Sequence, residues 1–269
     1  MPGFGTISAL QLSRLIGTPE APVLFDVRTP EDFALDRRVL PGARRIAHDR
    51  VAELAATLGG RPTVVVCQRG RKLSEGAAAL LRLAGQPAEV LEGGWEAAVA
   101  AGLPALPADL LPPPGESSLW VTRHRPKIDR IACPWLIRRF IDPAARFLFV
   151  APAEVADVAE RFAATPFDIE GVRFSHRGEL CSFDAVIADF GLASPALERL
   201  ALIVRGADTD RHDLAPQAAG LLALSVGLSR MYRDDLAQLQ AGIALYDALY
   251  RWARDGFEEG HDWPAGRVA

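Results

Sequence analysis

Cysteine is scarce: three residues in 269, at positions 67, 133 and 181. They lie far apart and form no C-x-x-C pair, which excludes a disulfide framework and the common zinc-finger patterns. Reduced thiols in a cytoplasmic protein are the simplest expectation. Long apolar runs are missing as well. No uninterrupted stretch reaches the roughly 20 residues that a membrane-spanning helix needs, so no membrane partner is expected. The opening Met1–Thr6 has no basic region followed by an apolar core, and no signal peptide is expected from it. An excess of positive charge is also lacking. Net charge is -4, which together with the absence of a helix-turn-helix pattern argues against nucleic acid as a partner. There is no internal repeat.

What the chain does have is enough apolar and charged residues, 49% and 24%, to build packed cores under a solvated surface. Its clearest discontinuity is rich in proline: Leu103-Pro104-Ala105-Leu106-Pro107, then Leu111-Pro112-Pro113-Pro114-Gly115-Glu116-Ser117-Ser118. Proline removes backbone donors and favours extended geometry, so this stretch reads as a semi-rigid seam. The expected organisation is a first domain over residues 1–112, a linker over 113–118 and a second domain over 119–269. Each flank is long enough to bury a core of its own.

The first part alternates short strands (Val23–Val27, Val64–Val66, Ala88–Leu91) with short helices, the signature of a parallel α/β sheet. The second part is mainly helical with a small β component, an α+β arrangement. Its strands are expected at Trp120–Thr122 and Phe147–Val150. Helices are expected at Asp129–Ile141, Pro152–Ala163, Ser182–Phe190, Pro195–Val204, Pro216–Met231 and Asp234–Trp252. The last carries Leu236, Leu239, Ile243, Tyr246 and Tyr250 at three-four spacing, one apolar stripe.

Chemistry concentrates first at Cys67-Gln68-Arg69-Gly70-Arg71-Lys72. The thiol ends an apolar strand, and a helix follows almost at once. Ligands of parallel sheets bind beyond the carboxyl ends of the strands. Unpaired amides at the helix start and three cationic side chains favour an anion there. A cysteine so placed reacts as a thiolate; the alternative is an inert buried strand cysteine, which has no need of such neighbours.

With Phe25-Asp26-Val27-Arg28-Thr29-Pro30-Glu31-Asp32-Phe33, Leu40-Pro41-Gly42-Ala43 and Leu91-Glu92-Gly93-Gly94-Trp95, this loop resembles the rhodanese (sulfurtransferase) family over residues 4 to 107. The resemblance implies a rhodanese-like fold and a Cys67 persulfide that passes sulfane sulfur from a small anionic donor such as thiosulfate. It implies no cofactor for sulfur transfer. Gln68, Arg69, Gly70, Arg71 and Lys72 would hold the donor anion. Two departures stand out: Lys72 where the family often has arginine, and Leu73 where a small residue is common. The six-residue loop suits sulfur better than the longer loop of related phosphatases. Asp26 and Arg28 are expected to brace the loop and sheet, Glu31 and Phe33 to cap and pack, and His48 to lie at the surface.

In the second part, Arg125-Pro126-Lys127-Ile128-Asp129-Arg130 through Asp142-Pro143, Phe174-Ser175-His176-Arg177-Gly178-Glu179-Leu180-Cys181 and Ile203-Val204-Arg205-Gly206-Ala207-Asp208-Thr209 resemble the chromate-resistance domain family from Trp120 to Trp252. The residues themselves offer two constellations. Arg125, Lys127, Arg130 and Arg205 could form an anion site for an oxyanion such as chromate; a solvated basic face with Asp129 as N-cap is the alternative. His176, Glu179 and Asp208, with Asp210 and His212 nearby, could hold a divalent metal; no tight motif such as H-E-x-x-H separates this from surface charge and capping. Cys133 and Cys181 read as packing residues, with a soft ligand or redox thiol as the alternative for Cys181 near His176. The whole reads as a sulfurtransferase fused to a chromate-resistance-type domain. A regulatory protein that senses sulfur, oxidant or chromate without turnover is the competing reading.

Overall fold

The computed structural model describes residues 5–113 and 116–260; Pro114 and Gly115 of the proline-rich seam lie outside it. The first part is built on strands β1 (Thr6–Ile7), β2 (Val23–Asp26), β4 (Ala43–Arg45), β5 (Thr63–Val66) and β6 (Ala88–Leu91), with a short β3 (Arg38–Val39) between β2 and β4. The five form one parallel sheet in the order β1-β6-β5-β2-β4. All four residues of the central strand β5 are buried, as a strand covered on both faces requires. Its side chains alternate between two cores. Val64 and Val66 face the larger one, while Val65 and Cys67 face a smaller one with Ala77, Ala78 and Leu81. The strand's period of two therefore decides which side of the sheet the thiol reaches.

Helices α1 (Ala9–Leu15), α2 (Pro30–Leu35), α3 (Lys72–Leu83) and α4 (Gly94–Ala100) flank the sheet. Ser8 opens α1 with a capping box shared with Gln11, and Thr29 with Pro30 behind it opens α2. Between β4 and β5 the chain forms a 3-10 segment, Val51–Thr57. Strand β7 (Leu106–Pro107) returns antiparallel to β3, so part of the proline-rich seam is stitched into the first domain.

The second part has a three-stranded parallel sheet, β10-β8-β9, formed by β8 (Leu119–Arg123), β9 (Arg146–Val150) and β10 (Thr165–Pro166). Around it pack α5 (Asp129–Leu136), α6 (Val155–Phe162), α7 (Ser182–Phe190), α8 (Pro195–Asp208), α9 (Ala218–Met231) and α10 (Asp235–Arg251). The expected single helix Asp129–Ile141 divides: beyond Leu136 the backbone widens into a π-turn over Ile137–Ile141, following Pro134, which has no N–H to give to the helix ladder. On α10, Leu239, Ile243, Tyr246 and Tyr250 are buried as the stripe implies. Leu236 is not; it is 53% exposed in the first turn.

The two parts share one apolar core. Ile7, Leu12 and Ile16 belong to the same cluster as Trp135, Phe140 and Tyr250. A side chain at Gly17 would meet the Phe140 ring at 2.3 Å, and the Gly42 amide donates to the Phe140 carbonyl at 2.9 Å. The seam thus joins two parts that bury a common interface, although each flank is long enough to bury a core of its own. Among the described residues no helix is long and apolar enough to cross a membrane.

Candidate functional site

Cys67 leaves the end of β5 and enters a loop that turns into α3. The loop is held from behind by the turn ahead of α4. The Trp95 amide donates to the Cys67 carbonyl at 2.9 Å, and the Glu96 amide donates to the Gln68 carbonyl at 3.1 Å. Two glycines make this approach feasible. A Cβ on Gly94 would lie 2.2 Å from the Cys67 carbonyl oxygen, and one on Gly70 would lie 2.3 Å from that of Leu91. Both glycines have positive φ, +59° and +61°, conformations that cost a Cβ-bearing residue energy.

The thiol sits at the floor of the loop with 5% of its surface exposed. The Arg71 amide donates to its Sγ at 3.3 Å, and the Ser74 hydroxyl lies 3.1 Å away. Burial alone would push the Cys67 pKa up; hydrogen bonds from Ser74 Oγ and the amides of Arg71, Ser74 and Arg69 outweigh it and hold the thiol below its usual value. Over the sulfur opens a cavity of about 470 Å³, lined by Asp32, Cys67, Gln68, Arg69, Arg71, Lys72 and Leu73. Arg69, Arg71 and Lys72 are exposed at its rim. Glu96 steadies one side, accepting from Gln68 Nε2 and Arg69 Nε at 3.2 Å each. The arrangement provides a nucleophilic sulfur under donors and cations, suited to a small dianion.

Ser74 and Asp32 are the site residues that sequence reading passed over. Ser74 sits in the first turn of the helix that the loop feeds, a position where a short hydroxyl can turn back on the loop. Asp32 belongs to the Phe25–Phe33 segment, and only the fold brings α2 to the rim. Asp26 and Arg28 brace the sheet: a buried ion pair at 2.5 Å, with Arg28 also donating to the carbonyls of Asp36 and Arg38 and lying 4.1 Å from the centre of the Trp95 ring. Phe33 packs under Arg45, 3.5 Å from ring centre to guanidinium.

In the second part, the four basic residues considered for an anion do not form a common cradle. Arg125 is spent on the carbonyls of Ser229 and Tyr232 at the end of α9. Arg205 pairs with Asp184 at 2.7 Å, and Arg130 with Asp168 at 3.2 Å. Lys127 points to solvent. The two partly buried cations, Arg130 and Arg205, are each taken up by a different carboxylate, since a charge withdrawn from water needs a partner.

His176 and Asp208 do meet, Nε2 to Oδ2 at 3.0 Å. Glu179 is elsewhere: its side chain is 87% exposed, with Arg211 at 3.9 Å. Asp210 is equally exposed and pairs with His212 at 3.7 Å. The place expected for Glu179 is taken by Asp129, 3.6 Å from His176, with Asp168 at 3.7 Å. Asp129 is wholly buried at the start of α5 and accepts the Ser182 and Phe183 amides, at 2.6 and 3.3 Å. Burial, then the charges of Asp208 and Asp168, push its pKa well above the carboxylate range. Asp208 is raised in the same direction by burial and Asp168. No helix period links these positions, so only the fold could assemble them. Cys133 and Cys181 are fully buried, and burial pushes both thiols up; they pack in the core.

Residues 8–101 match the family described as "Rhodanese-like domain", and residues 120–253 match the one described as "ChrB, C-terminal domain". The chain joins a rhodanese-like domain to a ChrB C-terminal domain. Protein ChrB of Cupriavidus metallidurans is 38% identical over 133 residues, covering 49% of this chain and 39% of that protein. The chain therefore spans well under two thirds of that relative. Among solved structures, the thiosulfate sulfurtransferase of Pseudomonas aeruginosa is 28% identical over 41% of this chain and 21% of its own, with a TM-score of 0.35. A rhodanese-like domain protein of Staphylococcus aureus is 24% identical over 35% of this chain and 91% of its own, with a TM-score of 0.32.

Proposed function

We propose that the rhodanese-like domain is a thiosulfate-type sulfurtransferase that works through a persulfide on Cys67. The observation that carries this reading is the sulfur itself, held by the Arg71 amide and Ser74 hydroxyl at the floor of a cation-rimmed cavity. The Cys67 thiolate attacks the outer sulfur of thiosulfate. The S–S bond of the donor breaks, and sulfite leaves with its electron pair. The new persulfide anion lies against the loop amides, and Arg69, Arg71 and Lys72 balance the charge of donor and leaving group. An acceptor nucleophile, a thiolate or cyanide, then takes the outer sulfur and returns Cys67 as thiolate. No cofactor enters either step.

Turnover with thiosulfate and cyanide is the test. Arg69→Ala and Arg71→Ala are expected to raise the KM for thiosulfate while leaving thermal stability nearly unchanged, since exposed charges contribute little to folding. Stoichiometric persulfidation of Cys67 without turnover would replace the enzyme with a sulfur or oxidant sensor.

A further inference from the structure

The second domain places Asp129, His176 and Asp208 together from three unconnected segments. Asp129 opens α5, Asp208 closes α8, and His176 stands in the loop ahead of α7. One ligand atom from each lies within 4.8 Å of the others. Groups bound about 2.0–2.2 Å from a common ion stand roughly 3.0–3.5 Å apart; His176 Nε2 is 3.0 Å from Asp208 and 3.6 Å from Asp129.

Charge accounting around these groups is uneven. Asp168, the neighbouring carboxylate, is neutralised by Arg123 at 2.9 Å and Arg130 at 3.2 Å, and it also accepts the Ser182 hydroxyl at 2.9 Å. Asp129 and Asp208 have no such partner: among the described residues neither forms an ion pair with lysine or arginine, and His176 is the imidazole they share. Side-chain exposure is 1% for Asp129 and 18% for Asp208, so both charges are largely withdrawn from water, which is costly without compensation. A divalent cation would neutralise both carboxylates and leave the imidazole neutral, as a ligand must be.

We infer that Asp129, His176 and Asp208 form a binding site for one first-row divalent cation of the Mn²⁺–Zn²⁺ class, with Asp168 and its two arginines as the surrounding shell. Imidazole nitrogen beside two carboxylates selects such ions over Ca²⁺, which takes six to eight oxygens, and over Mg²⁺, which keeps most of its waters. His176 is 41% exposed, so the ion enters from that side and retains a position open to water. Binding would pin the His176 loop to the end of α8.

The experiment uses the full chain, stripped with chelator and titrated with Mn²⁺, Zn²⁺ and Mg²⁺ by calorimetry and thermal shift, with Mn²⁺ also followed by electron paramagnetic resonance. One Mn²⁺ or Zn²⁺ per chain is expected, with a rise in Tm and a much weaker response to Mg²⁺. His176→Ala and Asp208→Asn are each expected to weaken binding by about tenfold or more, and Glu179→Gln to leave it unchanged. Should Asp208→Asn fail to fold, His176→Ala decides, because its side chain lies at the surface. Absence of saturable Mn²⁺ and Zn²⁺ binding, or binding unaltered by His176→Ala, would overturn the site and leave the three groups as a proton-sharing network.

Discussion

Cys67 and Ser74 are seven positions apart in the chain and 3.1 Å apart in space, and that contact offsets much of what burial does to the thiol. A cysteine's reactivity follows its thiolate fraction. Ser74→Ala removes a donor to sulfur and leaves the burial in place, so the Cys67 pKa is expected to rise. Alkylation of Cys67 by iodoacetamide, followed against pH, should show its midpoint displaced upward and its rate at neutral pH reduced. The far-UV spectrum should not change. An unshifted profile would mean that the loop amides alone set the thiolate. A second residue-scale case is Asp189, which Arg177 and then Arg173 hold down to about 2. The folded protein binds this proton more weakly than the unfolded chain, whose carboxyl titrates near 3.9. The stabilisation is therefore complete above that value and is lost as pH falls through about 2. Asp189→Asn is expected to lower Tm at neutral pH and to shrink the further fall in Tm between about pH 4 and 2, as read by thermal melts across that range.

At the scale of elements, the strand–loop–helix unit around Cys67 depends on two backbones lying closer than side chains permit. Gly94→Ala would drive a methyl group to 2.2 Å from the Cys67 carbonyl oxygen. Backbone cannot yield as a flexible side chain does, so a cost on the order of 1–3 kcal/mol is expected, with loss of sulfur transfer because the loop is displaced. Denaturant melts paired with the activity assay check both. This unit was legible in the sequence: a β-type run, a cationic loop and a helix in immediate succession identify both the thiol and its setting. The small elements were less so. Strands as short as β1 and β10 carry too few residues for any period to register. Helix α2 spans six residues, too few for an apolar period to register. The second-domain cluster was half legible. His176 and Asp208 are residue types that ligate metals, and each stands within a motif that draws notice in the sequence. Asp129, which joins them, is equally well read as a helix cap, and Glu179 stands closer in sequence although it faces solvent.

At the scale of the whole molecule, the proline-rich seam suggested two bodies on a tether, while the packing shows one core running between them. Compositional breaks report where the chain leaves regular structure, and they do not report what is buried against what. Phe140 is the residue on which this interface turns: 1% exposed, seated against Gly17 of the first part and Trp135 and Tyr250 of the second. Phe140→Ala is expected to destabilise the chain by about 3–5 kcal/mol, and to do so for both parts, because the cavity opens between them. Calorimetry should show one transition in the parent protein, moved to lower temperature in the variant. Two separate transitions, with only one moved, would mean that the parts melt independently.

Whether Cys67 carries sulfur is read from the mass of the protein itself. After brief exposure to thiosulfate and removal of excess donor, the intact chain is expected to gain one sulfur atom, located by peptide mapping to Cys67. Addition of cyanide should remove that sulfur as thiocyanate, and Cys67→Ser should show neither gain nor turnover. A parent chain that gains no sulfur, or a Cys67→Ser variant that still produces thiocyanate at the parent rate, would mean that Cys67 is not the sulfur carrier.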